Sequence, residues 1–277
     1  MKFILLATLL IGALVTAIEA QSQDTNSSSQ TTAQLQAKKE LRDAAASYRE
    51  GNFADAQSHS EKALALDPAN KEAPFFIART LHAQYKPGIT DQANVAKAHE
   101  TVAAYQRILA QFPDNDEAYK AIAYLYGSLK EEQVLRDWIS MRASDVSVDP
   151  AKRAEAYIVL ASKDWDCSYK ITELPSNKSS EVNGKKLTLK YIKPADQSEF
   201  EKAKQCARSG LQMAEMAIAL TPDDESAWSY KTNLLLEMSK LAEMANDEGE
   251  KATLIKDYEE ALRQTTVLSE RHKKQQP

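Results

Sequence analysis

A short phrase recurs four times along this chain, each time directly after the same kind of helix end. It reads EAPFFIA at Glu72–Ala78, EAYKAIA at Glu117–Ala123, EAYIVLA at Glu155–Ala161 and SAWSYKT at Ser226–Thr232. The segments before it are ALALDPAN, ILAQFPDN, VSVDPAK and AIALTPDD, in which a proline follows an apolar stretch. A helix start that repeatedly follows a helix stop is typical of stacked helical repeats. The phrase therefore predicts an all-α repeat architecture.

The first unit carries the most specific pattern. Its small, aromatic and proline residues stand at Ala44, Gly51, Phe53, Ala56, Ala63, Leu64, Leu66 and Pro68. This spacing resembles the tetratricopeptide repeat (TPR), a helix-turn-helix unit of about 34 residues. Small residues let the two helices of a unit approach closely, and Pro68 ends the second helix because it has no N–H group. The resemblance implies a TPR-like superhelix of about four to five units over residues 37–270.

The later units depart from that pattern. The second helix of the third unit, Glu131–Ala143, lacks the pattern of small residues. Glu225–Arg271 matches the repeat pattern only weakly, and we expect it to be a terminal hairpin that caps the stack. The fourth unit has an insertion at about residues 165–195. In it, apolar and polar residues alternate over Leu187–Tyr191, which is typical of a half-buried strand, and Asn183-Gly184 indicates a tight turn. We expect a small β-hairpin there, with Tyr169–Glu173 as another candidate strand and a disordered loop as the alternative.

The first twenty residues have the outline of a secretory signal peptide. Met1-Lys2 supplies positive charge, Phe3–Val15 is almost wholly apolar, and the segment ends in small residues. We expect cleavage after Ala20; cleavage after Ala17 and an uncleaved membrane anchor are the alternatives. No cysteine stands nearby for lipid attachment. The mature chain is expected to be periplasmic or secreted and to lack a membrane span.

Polar segments flank the predicted repeats. Residues 21–36 are expected to form a disordered tether, and residues 271–277 a polar tail. Cys167 and Cys206 are the two cysteines of the chain. In an oxidising compartment they favour a disulfide between the insertion and the helix after it, with two separate buried thiols as the alternative.

The residues of catalytic and metal sites are hard to find in this chain. His59, His82, His99 and His272 lack the spacing of a helical metal pair, and the seven glycines form no phosphate-binding loop. The net charge of −5 comes from interspersed charges, which disfavours nucleic-acid binding. We expect no enzyme activity, no cofactor and no metal.

A surface is then the expected functional site. In the TPR family, positions five, nine and twelve of each first helix face the concave groove. The resemblance assigns to it Leu41, Ala45, Tyr48, Phe75, Arg79, His82, Lys120, Tyr124, Ile158, Ser162 and Trp165. Tyr48, Phe75, Arg79, His82, Lys120, Tyr124 and Trp165 are the candidate partner-binding residues, although Phe75, Ile158 and Trp165 equally suit packing between helices. Arg79 and Lys120 would supply cations for a carboxylate of the partner.

Three functions follow from these features. The first is a non-enzymatic scaffold, of the kind found among exported bacterial TPR proteins, that binds a protein or peptide in its concave groove. The second is a structural protein that self-associates through the insertion. The third is a small-ligand binder with a pocket at Trp165 that the insertion closes.

Overall fold

The computed structural model describes residues 30–183 and 186–275, so the predicted signal peptide at residues 1–20 lies outside the described part of the chain. Within these ranges the chain forms ten α-helices and one two-stranded antiparallel sheet. The helices are α1 Thr32–Arg49, α2 Phe53–Leu66, α3 Ala73–Gln84, α4 Gln92–Gln111, α5 Asp116–Ser128, α6 Glu132–Ser144, α7 Pro150–Thr172, α8 Gln197–Leu220, α9 Glu225–Met244 and α10 Glu248–Gln275. The strands are β1 Lys178–Asn183 and β2 Lys186–Tyr191.

Each helix packs against the next one along the chain, which is the nearest-neighbour contact pattern of a repeat protein. The odd-numbered helices are the first helices of five helix pairs, and the even-numbered ones are the second helices. First helices also contact each other directly, α1 with α3 and α7 with α9. The predicted all-α, TPR-like repeat with a small β insertion is therefore confirmed.

Alanines hold the helices of the first pair together. Ala44 on α1 and Ala56 and Ala63 on α2 are fully buried, as the repeat pattern predicts. Gly51 adopts a φ of 80° in the turn between the two helices, a conformation that glycine reaches without steric cost. α2 ends at Leu66, just before Pro68. The signature residues of the first unit thus have the structural roles that the pattern implies.

The first and last helices are longer than the sequence predicts. α1 begins at Thr32, inside the predicted tether, because Thr31 and Gln34 form a reciprocal capping box. α10 continues to Gln275 and includes most of the predicted polar tail. Its end is held against the loop before α9 by an ion pair between Arg271 and Asp223 and by a contact between His272 and Glu225.

The insertion begins later than predicted. α7 continues through Thr172, so Tyr169–Glu173 is not a strand. Ser168, Ile171 and Thr172 are all buried, which is the spacing of one helix face. The hairpin pairs β1 with β2, with Lys178 opposite Tyr191 and Asn183 opposite Lys186. The predicted strand at Leu187–Tyr191 is correct.

α7 and α8 are joined covalently by the disulfide between Cys167 and Cys206, whose Cα atoms lie 6.0 Å apart. The bridge that the cysteine count favours is thus present. It links the last turns of α7 to the middle of α8, across the chain segment that contains the hairpin.

α8 also lies unusually close to its neighbours at Gly210. A Cβ atom placed there would lie 2.7 Å from Cδ2 of Leu234 on α9 and 2.9 Å from Cβ of Asp164 on α7. Real Cβ atoms do not approach other atoms so closely, so only glycine allows this three-helix contact. Gly210 and the disulfide both fix the fourth repeat, which carries the hairpin.

We expect reduction of the Cys167–Cys206 bridge to lower the free energy of unfolding by about 3–4 kcal/mol. The physical reason is the entropy that the unfolded chain regains when a loop spanning 39 positions is released. Urea denaturation with and without reductant measures the difference. Alkylation of both thiols in unreduced, denatured protein would contradict the bridge.

Gly210→Ala is expected to destabilise the protein by about 1–3 kcal/mol, because the added methyl group must displace Leu234 or α7. Gly127→Ala is the matched control, since a Cβ there would meet only Cδ2 of Leu135 at 3.5 Å, an ordinary contact. Alanine at position 127 should be neutral or slightly stabilising in a helix. Equal effects of the two substitutions in urea denaturation would contradict the close approach at Gly210.

Candidate protein-interaction face

The first helices of the five pairs, α1, α3, α5, α7 and α9, expose side chains on a surface that we call the first-helix face. It contains the groove residues that the TPR resemblance assigns. The assigned residues form an N-terminal group on α1, α3 and α5, which Tyr105 of α4 joins, and a second group on α7, which contacts Tyr230 of α9.

His82 is at the centre of the N-terminal group. Its ring lies 5.8 Å from the rings of both Tyr105 and Tyr124, and its Nδ1 is 3.2 Å from the Tyr105 hydroxyl. Burial lowers the pKa of His82, so this imidazole is neutral at pH 7. Burial raises the pKa of Tyr105 to about 12. The group is therefore an uncharged aromatic cluster at neutral pH.

Two tyrosines of this group expose their rings. Tyr124 is 50% exposed, and Tyr48, whose ring meets Phe53 edge-on at 5.2 Å, is 37% exposed. Tyrosine offers a large apolar surface and a hydroxyl at low entropic cost, which is why it is common in binding surfaces. Tyr48 and Tyr124 are the candidate residues best placed to contact a partner.

Arg79 and Lys120 already have acidic partners within the protein. Arg79 on α3 binds both carboxylate oxygens of Glu117 on α5, at 2.9 Å each. Lys120 on α5 lies 2.9 Å from Glu155 on α7. These pairs join each first helix to the next one. Because they are solvent-exposed, each pair stabilises the fold by only about 0.2–1 kcal/mol. Arg79 and Lys120 thus already neutralise carboxylates of the neighbouring first helices.

The second group is aromatic as well. The Trp165 ring lies 4.9 Å from the ring of Tyr169 on the same helix and 6.4 Å from that of Tyr230 on α9. Trp165 is half-buried and packs against a small core cluster that includes Leu234, whereas Tyr169 is 40% exposed. Tyr169 therefore presents more of its surface to solvent than the predicted Trp165 does.

The other assigned positions are mainly packing residues. Leu41 is buried, Phe75 lies 5.8 Å from the Phe112 ring, and both Phe75 and Ile158 pack against the main core. Ala45 and Ser162 are half-buried. Of the seven candidate residues, Phe75 is thus the one whose environment most resembles a helix–helix contact.

Sequence reasoning missed the acidic half of this face. Glu117 and Glu155 are the first residues of two copies of the recurring phrase EAY, and each binds the cation of the preceding first helix. The recurrence of a glutamate at the same point of the repeat was the signal in the sequence for these two ion pairs. Tyr169 and Tyr230 had no comparable signal, since one lay in a predicted strand and the other in a divergent unit.

The hairpin is attached to the second group by a buried ionic network. Lys240 on α9, only 8% exposed at its side chain, lies 2.7 Å from Glu173 and 2.6 Å from Glu237. Glu173 also accepts hydrogen bonds from Lys178 and from the Tyr191 hydroxyl, both at 2.9 Å. Both strands of the hairpin are thus tied to one carboxylate at the end of α7.

The described residues hold no group of three or more His, Cys, Asp or Glu side chains arranged to bind a metal ion. Within the same residues, no helix is long and apolar enough to cross a membrane.

No protein-family model and no curated protein matches the chain. Solved structures similar to it include the crystal structure of MamA protein, with a TM-score of 0.42, 13% identity, and coverage of 85% of this chain and 94% of that one. MamA 41-end from Desulfovibrio magneticus RS-1 has a TM-score of 0.42, 12% identity and coverage of 87% and 98%. A tetratricopeptide repeat protein from Parabacteroides merdae ATCC 43184 has a TM-score of 0.35, 14% identity and coverage of 84% and 99%. Similarities of this size carry no information about function.

The ionic network makes the stability of the protein depend on pH. Burial alone would raise the pKa of Glu173, but hydrogen bonds from Lys240, Lys178 and Tyr191 outweigh it and lower that pKa from 4.5 to about 2. A depressed carboxylate pKa stabilises the fold above pH 4.5, and this stabilisation is lost as the pH falls towards 2.

We therefore expect Glu173→Gln to reduce the loss of unfolding free energy between about pH 4.5 and 2, measured by urea denaturation at a series of pH values. Glu259→Gln on α10 is the matched control, because Glu259 is exposed and forms no ion pair with any of the described residues. A pH profile of Glu173→Gln that coincides with the wild-type profile would contradict the network.

Proposed function

We propose that this protein is a non-enzymatic scaffold that binds a protein or peptide segment through the first-helix face. The observation that carries the proposal is the exposure of Tyr48 on α1 and Tyr124 on α5, with the Tyr124 ring 5.8 Å from the ring of the neutral His82 on α3. A stack of helix pairs presents such side chains at regular intervals, which suits an extended or helical segment.

Binding on this face relies on the tyrosines more than on the cations. Arg79 and Lys120 are held by Glu117 and Glu155, so a carboxylate of the partner would have to compete with existing ion pairs. Aromatic side chains carry much of the affinity in protein interfaces, whereas exposed charges contribute little. The partner segment is therefore expected to bring apolar or aromatic side chains to Tyr48 and Tyr124.

The place of action is proposed to lie outside the cytoplasm, in the periplasm or the external medium. Two observations support this location: the signal-like sequence of residues 1–20 and the disulfide between Cys167 and Cys206. Disulfides persist in oxidising compartments and are rare in the cytosol.

The experiment is crosslinking and affinity purification of the mature protein from its native fraction, followed by mass spectrometry. The double variant Tyr48→Ala/Tyr124→Ala should lose a stoichiometric partner, since truncating two central interface aromatics costs at least about 2 kcal/mol. The matched control is Val134→Ala/Met216→Ala, which removes exposed apolar side chains from the second helices α6 and α8.

Three outcomes separate the hypotheses. Loss of the partner in the tyrosine variant alone supports the first-helix face. A partner retained by both variants contradicts it. Recovery of only the protein itself favours self-association, for which Leu189 and Ile192 on and after β2 offer exposed apolar surface, 49% and 44% exposed.

A further inference from the structure

A separate pocket of about 400 Å³ opens at the third repeat, and none of the candidate residues of the first-helix face lines it. It lies between α5, α6 and the loop that leads into α7. Its wall contains Trp138, whose ring stacks on Tyr119 at 5.5 Å with an interplanar angle of 21°. Nothing in the proposed scaffold function uses this pocket.

The pocket lies beside an aromatic pair between the two helices of the third repeat. Where alanines bring α1 and α2 together, the rings of Tyr119 and Trp138 stand between α5 and α6. The Trp138 indole N–H donates to the main-chain oxygen of Tyr119 at 3.3 Å, which fixes the ring in the wall. The remaining apolar lining comes from Leu109, Pro113, Met141 and Val148.

Asp145 is the one charged residue of the pocket rim without an ion pair in the described residues, and the nearby charge of Arg153 acts on its carboxylate. Arg142 lies over the Tyr119 ring, 3.9 Å from its centroid, and is paired with Asp116. Lys152 lies 3.6 Å from Asp114. Asp145 accepts hydrogen bonds from the backbone N–H and the hydroxyl of Ser147, at 2.9 and 2.7 Å, but it forms no ion pair within the described residues.

We propose that this pocket binds a small aromatic molecule that carries an ammonium group. The volume lies in the range of small-ligand sites, and such sites combine apolar and aromatic walls with a few polar groups. The Trp138 ring and the adaptable Met141 side chain, 64% exposed, suit a flat ring. The negative charge of the Asp145 carboxylate favours a ligand with an ammonium group over one with a carboxylate group. The pocket lining includes neither Tyr48 nor Tyr124, and Asp116 connects its rim residue Arg142 to Lys120 of the first-helix face.

The test is isothermal titration calorimetry of the protein with tryptamine, phenethylamine and 3-indolepropionate. We expect saturable one-to-one binding of an aromatic amine and weaker binding of the propionate. Val148→Trp should abolish binding because the larger side chain fills the pocket. Val146→Trp is the matched control, since Val146 lies in the same loop, is 83% exposed and does not line the pocket.

A second variant tests the charge without filling the pocket. Asp145→Asn should weaken amine binding roughly twofold to fivefold, the effect of one exposed ion pair, and should not weaken propionate binding. Asp137→Asn on α6 is its control, because Asp137 does not line the pocket.

The proposal is overturned if neither amine binds saturably, if Val148→Trp binds as well as Val146→Trp, or if the propionate binds as tightly as tryptamine. The peptide Gly-Trp-Lys-Gly distinguishes a free small molecule from a side chain of a protein partner. Tighter binding of this peptide than of tryptamine would contradict a small-molecule site.

Discussion

The close contact of helices through alanine and glycine is the constraint on which this structure depends. Ala44, Ala56 and Ala63 bring the first pair together, and Gly210 lets α8 touch α7 and α9 at once. Side chains this small give up apolar contact area but allow backbones to approach, so neighbouring helices bury a continuous core. At the third repeat the stacked rings of Tyr119 and Trp138 line a pocket.

The sequence predicts the helix pairs well because their signals are local. Caps, prolines and small residues act within one or two turns, and the observed helices follow them. The further candidate strand at Tyr169–Glu173 is wrong because the local sequence says nothing of the burial of Ser168 and Thr172 against α9. Tertiary contacts of this kind override local propensity. The early start of α1 also depends on one capping box that composition alone obscures.

The candidate site is predictable in its positions but not in its partners. The repeat register places Tyr48, His82 and Tyr124 on neighbouring first helices, and the structure confirms that the rings of His82 and Tyr124 lie together. The recurring glutamate of the repeat was the only sequence signal that Glu117 and Glu155 hold the two cations, because those contacts join distant residues of the chain. The contacts therefore leave the aromatic side chains, rather than Arg79 and Lys120, as the candidate residues of the face without an ion pair in the described part of the chain.

Site-specific photocrosslinking tests the central claim, the binding of a partner by the first-helix face, most directly. A photoreactive benzoylphenylalanine replaces Tyr124 in one sample and Val134, on the second helix α6, in the other. Irradiation in the native compartment should give a discrete crosslinked protein from position 124 and none from position 134. Crosslinks of the same partner from position 134 alone would contradict the account.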